Sequence, residues 1–137
     1  MTVDASVGLK WFIEEPRSPA ARKILRRADS LIAPDIFILE ICNAVWKKVK
    51  AEEISSEQGK AIVSNVPLMI DYFVPSSQLA DRAFDLAIIF NHPVYDCLYL
   101  VLAERESSVL MTDDAKMVSL ARKAKLSRWV HSLKGSS

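Results

Sequence analysis

A chain of 137 residues that is 50% hydrophobic and 26% charged holds enough apolar material for one domain with a real core. Its formal net charge of +1 excludes a general electrostatic attraction to nucleic acid, although the charges are unevenly spread. With three glycines, no internal repeat and no low-complexity tract, connections are expected to be short and residues 1–137 to form a single domain.

Residues 2 to 4 read as a short strand ending at Asp4, followed by a helix in "ASVGLKWFIEE" with Ala5, Gly8, Leu9 and Phe12 on one side. "SPAARKILRRA" predicts a second helix, with Ser18 as its N-cap and Pro19 in the first helical position. "SLIAP" is a short buried strand closed by Pro34, and Asp35 can cap a helix from Ile36 to about Ala51. Ser55 and Gln58 form a capping box for the next helix, and "IDYFVP" is the next strand. After the strongly helical "SQLADRAFDLAIIFN", His92-Pro93 breaks the chain, because a residue before proline disfavours the helical region. "VYDCLYLVLAERES" then restarts as a helix that is apolar nearly all round and therefore buried. "SVLMT" is a strand with Thr112 or Asp113 as cap for a helix in "DAKMVSLARKAK", and "SRWVHSL" is a last, edge strand. Strands alternating with helices predict an α/β fold in which a parallel sheet is covered on both faces.

Cys42 and Cys97 lie in apolar helical stretches without metal-type spacing, as reduced core residues do. No apolar run reaches transmembrane length, and Asp4 precedes any signal-like core, so a soluble cytoplasmic protein is expected.

The informative anomaly is a set of carboxylates attached to apolar segments. Glu40 stands inside "IFILEICNAVW", Asp96 inside "VYDCLYLVLA", Asp4 follows the first strand, and Asp113 and Asp114 follow "SVLM". An unpaired buried carboxylate changes its pKa, finds a counter-charge or ligates a metal. Neither the Glu40 nor the Asp96 segment offers a nearby Arg or Lys. Ligands of parallel sheets bind at the strands' carboxyl ends. Asp4 and the Asp113/Asp114 pair fall there directly, and the helices carrying Glu40 and Asp96 can start at the same edge. Two carboxylates about 5 Å apart repel by roughly 3 kcal/mol at an effective dielectric of 20, which a hard divalent cation relieves. Oxygen ligands without histidine favour Mg²⁺ or Mn²⁺ over zinc, and such ions serve phosphoryl chemistry. The acids have simpler roles too: Asp4 as a strand-end cap, Asp113 and Asp114 as an N-cap and first-turn pair, Glu40 and Asp96 in buried ion pairs. Beyond Asp114, Lys116, Arg122, Lys123, Lys125, Arg128 and Lys134 run without an acid, a solvated face unless an anion-handling site lies beside it.

"VDASVGLKWF", "APDIFILEICNAVWK", "PVYDCLYLVLAE" and "LMTDDAKM" together resemble the successive signature segments of the PIN domain family, in particular the VapC-type toxins of toxin–antitoxin pairs. The resemblance implies a three-layer α/β/α fold with a mostly parallel sheet of about five strands, and an Mg²⁺- or Mn²⁺-dependent endoribonuclease. It maps the acidic residues onto Asp4, Glu40, Asp96 and Asp114, with Ser6 and Thr112 as neighbouring hydroxyls. It further implies an RNA substrate, a homodimer and a cognate antitoxin protein that covers the active site. Asp113 is an extra acid in this pattern. Asp114 is preferred as the ligand because it keeps the family's offset from Thr112. Only three residues precede Asp4, so either the first strand is short or the native start is missing.

Asn43 and Lys47 share Glu40's helix face at i+3 and i+7, where they can orient a water or meet a phosphate, although a solvated role suits Lys47 better. Val7, Trp11 and Trp46 are expected to line an apolar groove between their two helices, a seat for an amphipathic antitoxin segment. His92 and His131 read as turn and edge residues. A receiver-like signalling domain fits less well, since "DYFVPSS" has no acid after the third strand and Arg128 and His131 stand where its lysine belongs. A non-catalytic PIN-like module that binds RNA or protein is disfavoured by the presence of all four mapped acids.

Overall fold

The computed structural model describes residues 1–135. Five short strands, β1 (Thr2–Val3), β2 (Ile32–Pro34), β3 (Tyr72–Val74), β4 (Leu110–Thr112) and β5 (Val130–Ser132), form one sheet in the order β3-β2-β1-β4-β5. All four pairings are parallel, with Thr2 opposite both Ile32 and Leu110. β1 is only two residues long, yet it is the central strand.

Seven helices connect the strands: α1 (Ala5–Lys10), α2 (Ser18–Arg27), α3 (Ile36–Lys50), α4 (Ser56–Asn65), α5 (Ala80–Phe90), α6 (Val94–Arg105) and α7 (Ala115–Lys123). α1 packs on α2 and α3, and α3 on α4, whereas α5 and α7 pack on α6. Right-handed crossovers put these two groups on opposite faces, giving three α/β/α layers. Chain order reverses between β1 and β4, so the carboxyl ends of those two strands bound the crevice where a doubly wound sheet takes its ligand.

Several local signals act as expected. Ser55 and Gln58 exchange both bonds of a capping box. Asn91, in the left-handed region at φ 50°, ends α5 ahead of His92-Pro93. α6 buries seven consecutive residues, Cys97 to Ala103. Among the described residues no helix is long and apolar enough to cross a membrane.

Three caps differ from expectation. Ser18 is the first residue of α2, not its N-cap; its buried hydroxyl donates to the Ile13 carbonyl and accepts from the Glu15 amide, while Arg17, at φ 69°, takes the cap position. Asp35 makes no cap bond, because its carboxylate accepts from the Ser76 amide and hydroxyl and ties the start of α3 to the turn after β3. α7 is capped by Asp114, not by Thr112 or Asp113.

Val7 and Trp11 do not line the apolar groove expected between α1 and α3. Gly8 brings the two helices into contact: a Cβ built there would lie 2.7 Å from the ring of Phe37. α2 then covers Trp11, which is 6% exposed and donates its indole N–H to the Ala21 carbonyl, and Val7 is fully buried. Val7 and Trp11 are therefore core residues and cannot line a partner surface as the structure stands. Trp46 is 55% exposed on the outer side of α3, beneath the Lys50 ammonium.

Candidate metal centre at the sheet edge

Asp4 sits where β1 ends and α1 begins, and it caps that helix by accepting the Val7 amide at 3.2 Å. The same carboxylate oxygen accepts the Ser6 hydroxyl at 2.5 Å, and the other accepts Thr112 Oγ1 from the neighbouring strand. Each hydroxyl has a second role. Ser6 Oγ accepts the Asp113 amide, and Thr112 Oγ1 accepts the Asp114 amide, both at 3.0 Å. Two hydroxyls thus bolt Asp4 to the β4–α7 turn across the switch point. The capping and the ligand readings of Asp4 use the same geometry and do not compete.

Asp113 and Asp114 diverge. Asp113 turns away to a bidentate pair with Arg17, at 2.5 and 3.0 Å, and to Lys10 at 3.1 Å. Burial alone would raise its carboxyl, but the hydrogen bonds from Arg17 and Lys10 outweigh burial and hold it below the usual carboxylate value. Lys10 is itself buried, an ionic element that the helical reading of "GLKWF" gave no reason to expect. Asp114 faces the other acids: it raises the proton affinity of both Asp4 and Glu40 while one of its oxygens caps α7 through the Lys116 amide. Asp113→Asn is expected to cost about 2–3 kcal/mol in urea unfolding, less than a fully buried pair because Arg17 is 35% exposed, and to leave any divalent-ion response intact. The opposite outcome, unchanged stability with the ion response lost, would move the ligand from Asp114 to Asp113.

Glu40 and Asp96 arrive from α3 and α6. The hydroxyl of Tyr99, one of the most deeply buried large side chains, donates to Glu40 Oε1 at 2.6 Å. His92 Nε2 lies 2.7 Å from Asp96 Oδ2. Sequence reasoning missed both partners. The i, i+4 spacing of His92 and Asp96 is visible in the chain, but the proline between them argues against a shared helix face, whereas Tyr99 reads as one more core aromatic. Asn43 and Lys47 line a groove of about 530 Å³ together with Glu40, Leu39 and Tyr95.

Burial pushes the Asp4 carboxyl up from 3.8 to about 6, with Asp114 adding to the rise against the hydrogen bonds it accepts. Glu40 is raised in the same direction, first by burial and then by Asp96 and Asp114. The charged forms are therefore disfavoured in the folded protein. For Asp4 the full penalty, about 3 kcal/mol, holds above pH 6 and vanishes below the unfolded value near 4. Without divalent ions, stability is expected to rise from pH 7 to pH 5, Asp4 contributing about 1 kcal/mol and Glu40 adding in the same direction, and Asp4→Asn to remove the Asp4 share of that rise. Urea unfolding in EDTA at the two pH values is the check; a fall on acidification would contradict the burial of an unpaired anion.

The donors fit a hard divalent ion in kind: carboxylate and hydroxyl oxygens, with mutually repelling charges and the nearby Arg17 and Lys10 committed to Asp113. Among the described residues no group of three acidic, His or Cys side chains is already placed to hold an ion, while Glu40 and Asp96 bond to Tyr99 and His92.

The chain is thus an α/β protein whose parallel sheet carries acidic residues at its topological switch point. The sequence profile of the PIN domain matches residues 1–124, and the chain belongs to that family. It is similar to Ribonuclease VapC3 of Pyrobaculum aerophilum, 25% identical over 85% of this chain and 91% of the relative. Ribonuclease VapC12 of Mycobacterium tuberculosis is 27% identical over 85% and 88%, and Ribonuclease VapC1 of the same organism 32% identical over 64% and 65%. Among solved structures, that of PAE2754 from Pyrobaculum aerophilum shares the fold with a TM-score of 0.74 at 20% identity, covering 98% of this chain and 90% of that one.

Proposed function

We propose that the chain is an endoribonuclease dependent on Mg²⁺ or Mn²⁺, acting in the cytoplasm as the toxin of a toxin–antitoxin pair. The observation that carries this reading is the acidic edge itself: Asp4, Glu40, Asp96 and Asp114 come from four separate elements, Asp114 disfavours the charged forms of the buried Asp4 and Glu40, and among the described residues none of the four forms a salt bridge with a lysine or arginine. The names of the relatives, ribonucleases of the VapC type, point the same way.

Asp4, Glu40, Asp96 and Asp114 would hold the ion once their side chains close on it, and the ion would supply Lewis acidity at a phosphodiester and acidify a water for attack. Ser6 and Thr112 fix Asp4 and the β4–α7 turn relative to each other, so that the first ligand costs no reorganisation when the ion enters. Tyr99 and His92 orient Glu40 and Asp96 from behind. Tyr99→Phe keeps the buried ring and deletes the hydroxyl, and is expected to weaken Mn²⁺ affinity about 10- to 100-fold in a calorimetric titration. Unchanged affinity would leave Tyr99 as packing only.

An exposed apolar surface on α5, with Phe84 and Ile88 one turn apart, suits a homodimer. The antitoxin is expected to bring a basic side chain to the carboxylates and an apolar segment to α3, where Trp46 and Leu39 remain exposed.

The experiment is incubation of single-stranded RNA with the purified protein and Mg²⁺ or Mn²⁺, followed by analysis of the fragment ends. Attack by an acidified water leaves linear phosphate; a 2′,3′-cyclic phosphate would mean that the ribose hydroxyl attacks instead. RNA bound but uncut in both ions would return the chain to a non-catalytic RNA-binding module.

A further inference from the structure

Two grooves open beside the acids, one past Glu40 and one past Asp96 and Asp114, and they differ in how many lysines line them. The one along α3 is walled largely by apolar side chains, among them Ile36, Leu39 and Tyr95, and carries a single lysine, Lys47. The other, about 380 Å³, runs from Asp96 and Asp114 along α7, with Lys116, Ser119 and Lys123 on one wall and Phe90, Pro93 and Leu120 also in its lining. Both lysines are exposed, and neither forms a salt bridge among the described residues. Seven residues apart on one helix, they share a face and stand about 10 Å apart along its axis. No acid follows Asp114 in the sequence, so nothing on α7 neutralises them.

A groove with anions at one end and two unpaired ammonium groups along its wall suits a polyanion that enters along α7 and reaches the acids only where a cation screens them. We infer that this groove is the entry track for the substrate, with Lys116 and Lys123 each holding a backbone phosphate of single-stranded RNA on one side of the scissile bond. The inference rests on the ribonuclease reading and adds to it the direction from which the strand arrives. A phosphate contact is independent of base sequence, so the track contributes affinity and register, and the α3 groove is left to meet the bases.

Affinity supplied by a lysine on a single-stranded phosphate falls with salt at a slope of about 0.7 per contact, equivalent to about fivefold at 0.1 M salt. On a cleavage-inactive Asp96→Asn background, fluorescence anisotropy of a labelled oligouridine is measured against KCl concentration. Lys116→Gln with Lys123→Gln is expected to weaken binding about 25-fold at 0.1 M salt and to lower the salt slope by about 1.4; each single change does about half of that on the logarithmic scale. Lys60→Gln, an exposed lysine on α4, removes the same charge elsewhere and should change neither. An unchanged slope in the double variant overturns the track, even if the wild-type protein cuts RNA. Conversely, a reduced slope together with no metal-dependent cleavage by the wild type sustains the track and removes the nuclease. No binding of the oligonucleotide by any form refutes both.

Discussion

Asp96→Asn and Glu40→Gln are expected to abolish RNA cleavage, by at least about a hundredfold, while unfolding at the same urea concentration as wild type or higher. The lower bound follows from the groups behind the ligands: losing an outer hydrogen-bond partner of a metal ligand already costs about 10- to 100-fold, and losing the ligand's charge should cost no less. Stability should not fall, because each substitution keeps shape and hydrogen-bond partner while deleting a charge. The Tyr99 hydroxyl can still donate to the amide carbonyl that replaces the Glu40 carboxylate, and His92 can still meet the amide that replaces the carboxylate of Asp96. Glu40 is raised by burial and by the charges of Asp96 and Asp114, so removing either member of the group relieves the others. Cleavage at the wild-type rate in the Asp96 variant, measured by fragment release from one RNA, would dismiss that carboxylate from the site.

The second large effect is stabilisation by the ion. A cation that binds only the folded chain at a hundred times its dissociation constant adds about 2.7 kcal/mol, which in a domain of this size raises the melting temperature by roughly 10 °C. The gain comes from matching charges that burial, and then mutual repulsion, disfavour at Asp4 and Glu40, so it should shrink in Asp4→Asn and Glu40→Gln and be insensitive to Asp113→Asn, whose charge is already matched by Arg17 and Lys10. Thermal unfolding in Mn²⁺, in Mg²⁺ and in EDTA is the measurement. Equal midpoints in all three would leave the acids as buried anions without a ligand.

The chain order of strands and helices was legible because its signals are local: alternating apolar runs, the Ser55–Gln58 box and the His92-Pro93 break. The four acids were legible for the opposite reason, since each stands against the grain of its segment. What could not be read depends on contacts distant in sequence. Tyr99 meets Glu40 across 59 positions, and Arg17 meets Asp113 across 96. No periodicity encodes such pairs. Trp11 was misjudged because a helical wheel shows which residues share a face but not what lies over it, and α2 folds back across that face. Gly8 carried the missing information: in a short helix facing Phe37, a residue without Cβ signals close approach.

The central claim is that the acids work by holding a divalent cation. The direct measurement is the rate of RNA cleavage as EDTA-treated protein is titrated with Mn²⁺. The rate should start at zero, rise to saturation, and fall again when excess chelator is added. Cleavage in EDTA at the rate seen in saturating Mn²⁺ would contradict the account.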